Sequence, residues 1–532
     1  MPFRRAHVGS LAVLSLPLLM LACEAASSSP PPTGNFSVPP VEAGNPLIPA
    51  APEDAAVDTS PPSDATADSA VADAGVDATP DADVDAASDA GLEVDSGPSG
   101  LLDLTFAGTG YVSKLGTAGS PAVPADRGNA LAIDSTNRIV VAGESLNNAG
   151  MTNAAAWRVT TAGAFDATFG NNGGWSTPDV IGGGNYASAR AVTVDAQDRP
   201  LITGQSNNGY PIYAPIFRLT TAGAFDTSFA GTGYVGQTNT AGWGYDAAYA
   251  IKVDASGRYV LAGFTDAPAF AIDMATWRFS TNGTLDTSFA GTGYVTAHST
   301  LGYNPGADAA NTIAFDASNR VYVAGSSKDL QLHVQATVWR YTSAGVFDTT
   351  FANNGYANFG GITGAAANPT DAFSSMAVDG SGRIVVCGQG TNAQGHSRAF
   401  VGRLLTAGAP DNTFGTNGWT TLGPAPGGAA NSASYAKGCA IDSKGRIVVA
   451  GISTDGSVHS MAVWRVTSAG ALDATYGNAG MFATTGTAGA TGAAAADDGL
   501  ALALDGVGRA VVCGTSKNAA GRTTMAVWRL TP

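Results

Sequence analysis

Five aspartates recur at one position of a repeating pattern and could together bind a hard cation. Each stands eight residues before a second, regularly spaced aspartate, and Ala187 and Ser434 take the same position in two further copies. The five are Asp126, Asp246, Asp308, Asp371 and Asp497. Carboxylates held close together repel one another unless a cation neutralises them, and calcium prefers such oxygen ligands. The series therefore predicts a calcium site. Alternatively, each aspartate only caps the loop before its strand.

A second series supplies basic groups. His333, His396, His459 and Arg522 each stand eight residues after a recurring Ala-Gly or Cys-Gly glycine, on four consecutive copies. An arc of such side chains could attract an anionic ligand or respond to pH. If the copies are arranged around a ring, the strands that carry these residues would hold the imidazoles too far apart to share a zinc ion. Duplication of neighbouring copies explains the series equally well without any function.

Both series belong to an internal repeat, which is clearest as LAIDSTNRIVVAG at 131–143 and AIDSKGRIVVAG at 440–451. The aspartate of this motif occurs seven times at spacings of 59 to 63 residues, each time with an arginine four residues later. The aspartates are Asp134, Asp195, Asp254, Asp316, Asp379, Asp442 and Asp505. A fixed period of this size predicts supersecondary units that bury their faces against their neighbours. Because these charged residues recur in every copy, we expect them to be architectural.

Each copy contains four short apolar or alternating runs separated by Gly and Asp turns, with no helical periodicity, which predicts an all-β fold. Four strands per unit and seven units predict a seven-bladed β-propeller over residues 101–532. The seventh copy reaches Pro532 after its third run, and an extra copy of the fourth, LDLTFAGTGYV at 102–112, precedes the first unit. We therefore predict that this N-terminal strand completes the last blade and closes the ring.

The motifs L-D-x-[TS]-F-x-x-x-G-[YW]-V, D-x-x-G-R-I-V-V-A-G and A-x-W-R follow one another in the same order in successive copies. In this arrangement they resemble the delta-sixty repeat of secreted bacterial proteins, over about four-fifths of the chain. The resemblance implies a β-propeller lipoprotein or secreted repeat protein whose biochemical role is uncharacterised. It bears on fold and location and leaves the function open.

The first hundred residues differ from the rest. Residues 1–23 combine Arg4 and Arg5 with an apolar run too short to span a bilayer, as in a secretory signal peptide. Their Ala22-Cys23 ending looks like a lipobox, which implies lipidation of Cys23 and anchoring to the outer membrane or cell surface. If the lipobox is not used, the protein is secreted. Residues 24–100 hold fifteen acidic and no basic residues, and we predict a disordered tether.

The loops after the second and fourth strands of each unit are long and variable, and they share one face of a propeller. Variable loops on a rigid scaffold commonly carry binding residues. This face would present Trp243 and Tyr303 with the three histidines, a composition suited to a glycan or protein partner. We therefore expect a monomeric binding scaffold.

Other functions are less favoured. Residues 101–532 hold 27 acidic and 24 basic residues, so no basic face for nucleic acid is expected. No G-x-S-x-G, H-E-x-x-H, paired cysteine ligands or phosphate-binding glycine loop is present, and we expect the abundant glycines to lie at turns. The sequence thus favours a binding protein over an enzyme. A cation-dependent polysaccharide hydrolase or lyase at the channel mouth and a structural envelope protein remain the alternatives.

Overall fold

The computed structural model describes residues 99–119, 124–177, 181, 186–207, 211–268, 271–303, 307–352, 354–365, 369–425 and 432–532. The predicted signal peptide with Cys23, and the tether up to residue 98, lie outside the described residues. Within the described ranges, twenty-eight strands form seven four-stranded antiparallel sheets, and no α-helix is present. None of the helical segments in these ranges is long and apolar enough to cross a membrane.

The sheets are consecutive along the chain, and each is one blade. Blade 1 contains β2 (Asp126–Ile133), β3 (Ile139–Leu146), β4 (Thr152–Val159) and β5 (Gly174–Thr177). Blade 2 contains β6 (Tyr186–Val194), β7 (Pro200–Asn207), β8 (Ile212–Arg218) and β9 (Tyr234–Gln237). Blade 3 contains β10 (Asp246–Val253), β11 (Tyr259–Ala267), β12 (Ala271–Phe279) and β13 (Tyr294–Ala297).

The remaining blades repeat this plan. Blade 4 contains β14 (Asp308–Phe315), β15 (Val321–Lys328), β16 (Val334–Tyr341) and β17 (Tyr356–Phe359). Blade 5 contains β18 (Ala372–Val378), β19 (Ile384–Thr391), β20 (Ser397–Leu404) and β21 (Trp419–Leu422). Blade 6 contains β22 (Ala433–Ile441), β23 (Ile447–Thr454), β24 (His459–Val466) and β25 (Met481–Thr484). A short 3₁₀ helix, Gly492–Ala494, follows.

Blade 7 confirms the predicted ring closure. It contains β26 (Asp497–Leu504), β27 (Ala510–Lys517), β28 (Thr523–Leu530) and, as its outer strand, β1 (Tyr111–Lys114). The register places Tyr111 opposite Trp528 and Lys114 opposite Met525. The N-terminal strand therefore covers an edge that β28 would otherwise expose. The seven-bladed, four-stranded prediction is correct.

The hydrophobic core is divided among the blade interfaces. Seven clusters of buried apolar residues each combine side chains of two neighbouring blades, and one of them joins blade 7 to blade 1. Five of the large buried side chains are tryptophans from the third strand of a blade: Trp157, Trp277, Trp339, Trp464 and Trp528. Because a single blade has no core of its own, stability depends on stacking around the complete ring.

Two charged pairs recur in every blade, and the contacts of the turn aspartates confirm the predicted architectural role. Each turn aspartate accepts a hydrogen bond from Nε of the arginine four residues later at 2.6–2.8 Å, as Asp134 does from Arg138. The arginine after the third-strand aromatic pairs with the aspartate of the following turn at 2.7–2.9 Å, as Arg158 does with Asp166. Each of these buried guanidinium groups also lies 4.5–4.9 Å from an aromatic ring centre. Such a site suits a planar cation.

Candidate functional site at the channel mouth

The first strands of the blades form the wall of a central channel. Each lies at one edge of its sheet, and each contacts the first strands of both neighbouring blades around the ring. Because the strands alternate in direction, the start of every first strand shares one face with the loops after the second and fourth strands. The predicted site residues therefore all belong to this loop face.

A β-bulge interrupts every first strand at the same place. In blade 1 the register shifts between Gly128 and Ala130, and corresponding shifts occur in the other six blades. The residues inside the seven bulges are Asn129, Arg190, Tyr249, Asn311, Ser374, Lys437 and Leu500. Each is partly exposed. Bulges commonly re-aim a side chain near a functional site. Because all seven bulges lie at the same strand position, they place seven unlike side chains at one level of the channel wall.

Glycine on the neighbouring strand makes these bulges possible. A Cβ on Gly143 would lie only 1.8 Å from the carbonyl oxygen of Arg127, and the equivalent approach is 1.8–2.0 Å in the other six blades. These seven glycines end the R-I-V-V-A-G motif and lie inside strands. The expectation that the glycines lie at turns is therefore wrong for this set, because here glycine admits a close approach of two backbones.

The sequence prediction did not include the bulge residues. Their signal is a position five residues before the turn aspartate that changes from copy to copy, although small residues flank it in most copies, as Gly128 and Ala130 flank Asn129. Because the residue type at this position does not recur, the repeat pattern alone does not mark it as a site.

On one side of the channel mouth, Glu144 is the centre of a polar network. Its Oε1 lies 3.3 Å from Nη2 of Arg190, and it accepts a hydrogen bond of 2.5 Å from Ser188 Oγ. Arg127 donates from Nε to Asn129 Oδ1 at 2.8 Å, while Asn129 donates to the backbone of Ala189 in the next blade. Nε of Arg190 is buried and has no hydrogen-bond partner among the described residues.

Blades 5 to 7 supply the other side. Lys437 Nζ contacts the neutral Gln389 Oε1 at 3.3 Å and lies 5.6 Å from the ring centre of Tyr435. Burial lowers the pKa of Lys437 to about 8, although Asp498 acts in the opposite direction. Asp498 accepts hydrogen bonds from His459 at 2.9 Å and from Thr515 at 3.1 Å.

Arg127 connects the two sides electrostatically. Its positive charge contributes to lowering the pKa of both Lys437 and Asp498. Burial raises the pKa of Asp498, but the His459 hydrogen bond and the nearby cations bring it below its usual value. The same contact raises the pKa of His459.

We call Arg127, Glu144, Arg190, Lys437 and Asp498 the channel-mouth cluster. Its three cations and two carboxylates favour an anionic ligand.

The five predicted cation ligands are all fully buried at the start of their blades. Asp126 accepts hydrogen bonds from Thr117 and Ser145, Asp308 from Thr300 and Ser327, and Asp497 from Thr487 and Ser516. Asp246 likewise bonds Thr240. In these four blades the threonine hydroxyl also accepts a hydrogen bond from Nε1 of the third-strand tryptophan. The network ties the interblade loop to its blade.

Asp371 departs from this pattern. It accepts backbone hydrogen bonds from Gly361 at 2.6 Å and Ile362 at 3.3 Å. Its Oδ1 has no partner among the described residues, and burial raises its pKa to about 6. Across the described ranges, no three His, Cys, Asp or Glu side chains are grouped as ligands for one metal ion. The calcium ion therefore stays a prediction, and the hydrogen bonds match the alternative in which each aspartate anchors a loop.

The predicted basic arc follows the hairpins between the second and third strands. The backbone amides of His333, His396 and Arg522 each donate to the Oδ1 atom of the residue four positions earlier. Nδ1 of His333 lies 3.3 Å from Asp329, within the same hairpin, whereas His459 contacts Asp498 of the next blade. Of this arc, His459 is the residue that the structure brings to the channel-mouth cluster.

The two predicted aromatic contacts lie elsewhere on the loop face. Trp243 is 40% exposed and lines a cavity of about 460 Å³ together with Pro211 and Asn239. Tyr303 is half-buried, and Lys328 Nζ lies 5.2 Å from its ring centre. Whether either ring contacts a ligand stays a prediction.

These features define a seven-bladed β-propeller with a charged channel mouth. A family model described as a domain of unknown function (DUF5122) β-propeller matches residues 135–169, 380–414 and 445–476, in agreement with a β-propeller repeat family. No curated protein matches the chain.

Several solved structures are similar to the chain. The polysaccharide lyase Uly1 has 9% identity over 76% of this chain and 90% of its own, with a TM-score of 0.42. A polysaccharide lyase family PL25 ulvan lyase has 9% identity over 76% and 94%, with a TM-score of 0.41. A mutant of AofleA from Arthrobotrys oligospora has 10% identity over 71% and 91%, with a TM-score of 0.34. Similarity at this level carries no information about function.

Proposed function

We propose that the protein is a binding scaffold that recognises an acidic glycan at the mouth of its channel. The observation that carries this proposal is the seven-fold bulge, which places unlike side chains on a rigid ring. Arg190 and Lys437 are two of these side chains, and Arg127 lies two residues before a third. Pre-organised charged groups of this kind provide specificity because they need little rearrangement on binding.

The distribution of charge supports an acidic ligand. Glu144 is engaged by Arg190 and Ser188, and Asp498 by His459 and Thr515. The hydrogen-bond partner of Lys437, in contrast, is a neutral amide. A carboxylate or sulfate group entering the channel mouth would therefore find Lys437 and Arg127 within reach of its charge. Partly exposed Asn129 and Tyr249 add groups that can bond sugar hydroxyls.

The test is calorimetric titration with hexagalacturonate, using its uncharged methyl ester as the control. We expect hexagalacturonate to bind, and we expect Lys437→Met to weaken it by about tenfold, equivalent to about 1.4 kcal/mol. Lys252→Met is the matched control, because Lys252 is an exposed lysine near the opposite end of another first strand. If the two variants weaken binding equally, or hexagalacturonate does not bind, the proposal fails.

A second candidate function is a lyase acting on the same class of polysaccharide. The observation that favours it is Lys437, because a lysine with a pKa of about 8 has a substantial neutral fraction near neutral pH. Its neutral amine could take the proton from the carbon next to a uronate carboxylate that Arg127 neutralises. The released electron pair would form a carbon–carbon double bond and expel the glycosidic oxygen, which takes up a proton. Ultraviolet absorbance of the unsaturated product, present in wild type and absent in Lys437→Met, would distinguish this activity from binding alone.

We also propose that the propeller functions in the cell envelope, anchored by a lipid on Cys23 and extended from the membrane by residues 24–100. The basis is the sequence of the leader and the uniform negative charge of the tether. A long, charged tether would let the loop face reach glycans at a distance from the membrane.

A further inference from the structure

Blade 5 departs from the other blades at a pair of facing positions. Gly402 replaces the third-strand aromatic residue, and it pairs across the sheet with Trp419 on the outer strand. A Cβ at Gly402 would lie 2.3 Å from the Trp419 ring, so the indole fills the space over the glycine. In blade 3, by comparison, Trp277 is on the third strand and Tyr294 is opposite it. The large aromatic side chain of blade 5 therefore comes from the outer strand, and the half-buried Trp419 ring occupies the space that a third-strand aromatic ring would fill.

Neighbouring aromatic rings hold Trp419 in place. Phe359 of blade 4 and Phe400 of blade 5 pack edge-on against it, with ring centres 5.1 and 5.8 Å away. Phe373 lies nearly parallel to it at 6.2 Å. Fixed orientation matters for recognition, because a rigid ring can stack on a ligand without further loss of conformational entropy.

A groove of about 1100 Å³ lies beside Trp419, and we call it the blade-5 groove. It is lined by Asn358 and Phe359 of blade 4, Trp419 and Thr421 of blade 5, and Leu472 of blade 6, among others. None of the described residues that line it carries a charge. Amide, hydroxyl and backbone groups beside an aromatic surface suit an uncharged ligand rich in hydroxyl groups.

One residue of the groove lining has a polar atom without a partner in the described part of the chain. Thr363 lines the groove, and its buried Oγ1 has no hydrogen-bond partner among the described residues. Asp371 does not line the groove, but its buried Oδ1 also has no partner among these residues. Both atoms face Gly390, since a Cβ there would lie 3.0 Å from Thr363 Oγ1 and 1.9 Å from Asp371 Oδ1. Gly390 occupies the position at which Ser145 bonds Asp126 in blade 1. Buried polar groups of this kind are costly unless another group satisfies them.

We propose that the blade-5 groove is a second binding site, which takes a neutral sugar unit of a glycan. The sugar would stack an apolar face on Trp419 and exchange hydrogen bonds with Thr421, Asn358 and the Thr363 hydroxyl. This site is separate from the channel-mouth cluster and does not depend on its charges.

Calorimetric titration of the wild-type chain with neutral hexasaccharides of glucose, mannose, galactose and xylose tests the proposal. We expect at least one of them to bind and Thr421→Arg to weaken it by about tenfold, since the long cationic side chain would occupy the groove. Ala483→Arg is the matched control, because Ala483 is exposed at the same strand position on blade 6 and does not line the groove. Both substituted residues are exposed, so neither variant should impair folding.

Thr363→Val provides an independent check, because it keeps the shape of the side chain and removes the hydroxyl. We expect weaker binding of the same hexasaccharide with an unchanged thermal unfolding midpoint. Absence of binding to all four hexasaccharides, or equal binding by Thr421→Arg and wild type, would overturn the proposal. Loss of binding in Lys437→Met with retention in Thr421→Arg would also overturn it, by assigning the neutral sugar to the channel mouth.

Discussion

Arg529 donates a hydrogen bond from Nε to Oδ2 of Asp103 over 2.7 Å, although the two residues are 426 positions apart. The same pair forms within single repeats elsewhere, as between Arg278 and Asp286. The ring is therefore closed by the contact that also stabilises each internal blade. A second contact at the closure joins Arg509 to the same carboxylate at 3.2 Å.

Asp103→Ala should destabilise the propeller as much as the equivalent change in an internal blade. Removal of the carboxylate leaves the buried Arg529 guanidinium without its partner, which typically costs about 3–5 kcal/mol. Chemical denaturation of Asp103→Ala beside Asp286→Ala measures both losses. A normal stability for Asp103→Ala, with a clear loss for Asp286→Ala, would contradict the ring closure.

Asp371 should make stability depend on pH in a way that Asp371→Asn removes. Its pKa of about 6 in the folded protein exceeds the usual unfolded value of about 3.9, so the folded state binds the proton more tightly. The unfolding free energy should therefore fall as pH rises from about 4 to about 6, by a total of about 3 kcal/mol.

Denaturant unfolding of wild type and Asp371→Asn at pH values from 4 to 7 measures this contribution. The variant should match wild type near pH 4 and become progressively more stable than wild type toward pH 7. A stability difference that does not change with pH would show that Asp371 does not titrate in this range.

Calcium should leave the thermal unfolding midpoint unchanged. Asp126, Asp308 and Asp497 already accept hydrogen bonds from threonine and serine side chains, so their oxygens have little capacity left for an ion. Calorimetric unfolding in EDTA and in calcium tests this expectation. A calcium-dependent rise that disappears in Asp246→Asn would instead support the cation site, because Asp246 has an unpartnered Oδ1 among the described residues.

Cys23 should determine whether the protein partitions with membranes. If the leader ends in a lipobox, the full-length chain expressed in a bacterial host should enter the detergent phase of a Triton X-114 extraction. Cys23→Ala should move it to the aqueous phase, whereas the buried Cys513→Ala should not. Aqueous partitioning of the wild-type chain would indicate secretion without a lipid anchor.

The sequence was sufficient to predict the blade number, the strand order and the closing strand, because each depends on motifs that repeat with one period. The Asp and Arg residues of every copy were correctly interpreted as structural for the same reason. The channel-mouth cluster could not be predicted in this way. Arg190 and Lys437 occupy a position that differs between copies, and only the bulge admitted by Gly204 and Gly451 shows that this position faces the channel region.

Blade 5 shows a second limit of prediction from repeats. Gly402 stands where the other copies have Trp or Phe, but the consequence of this change depends on Trp419, seventeen residues later on another strand. A pattern search along the chain does not join these two positions, whereas cross-strand pairing does. The predicted roles of Asp126 and its equivalents were ambiguous for a similar reason, since their threonine and serine partners come from different segments.

The affinity for hexagalacturonate as a function of pH tests the central claim most directly. Lys437 is charged below its pKa of about 8 and neutral above it, while the carboxylates of the ligand remain ionised. Wild-type affinity should therefore fall by up to about tenfold between pH 7 and pH 9, and Lys437→Arg should bind equally at both because its guanidinium stays charged. A parallel fall in wild type and Lys437→Arg, or no binding by wild type, would contradict recognition of an acidic glycan through Lys437.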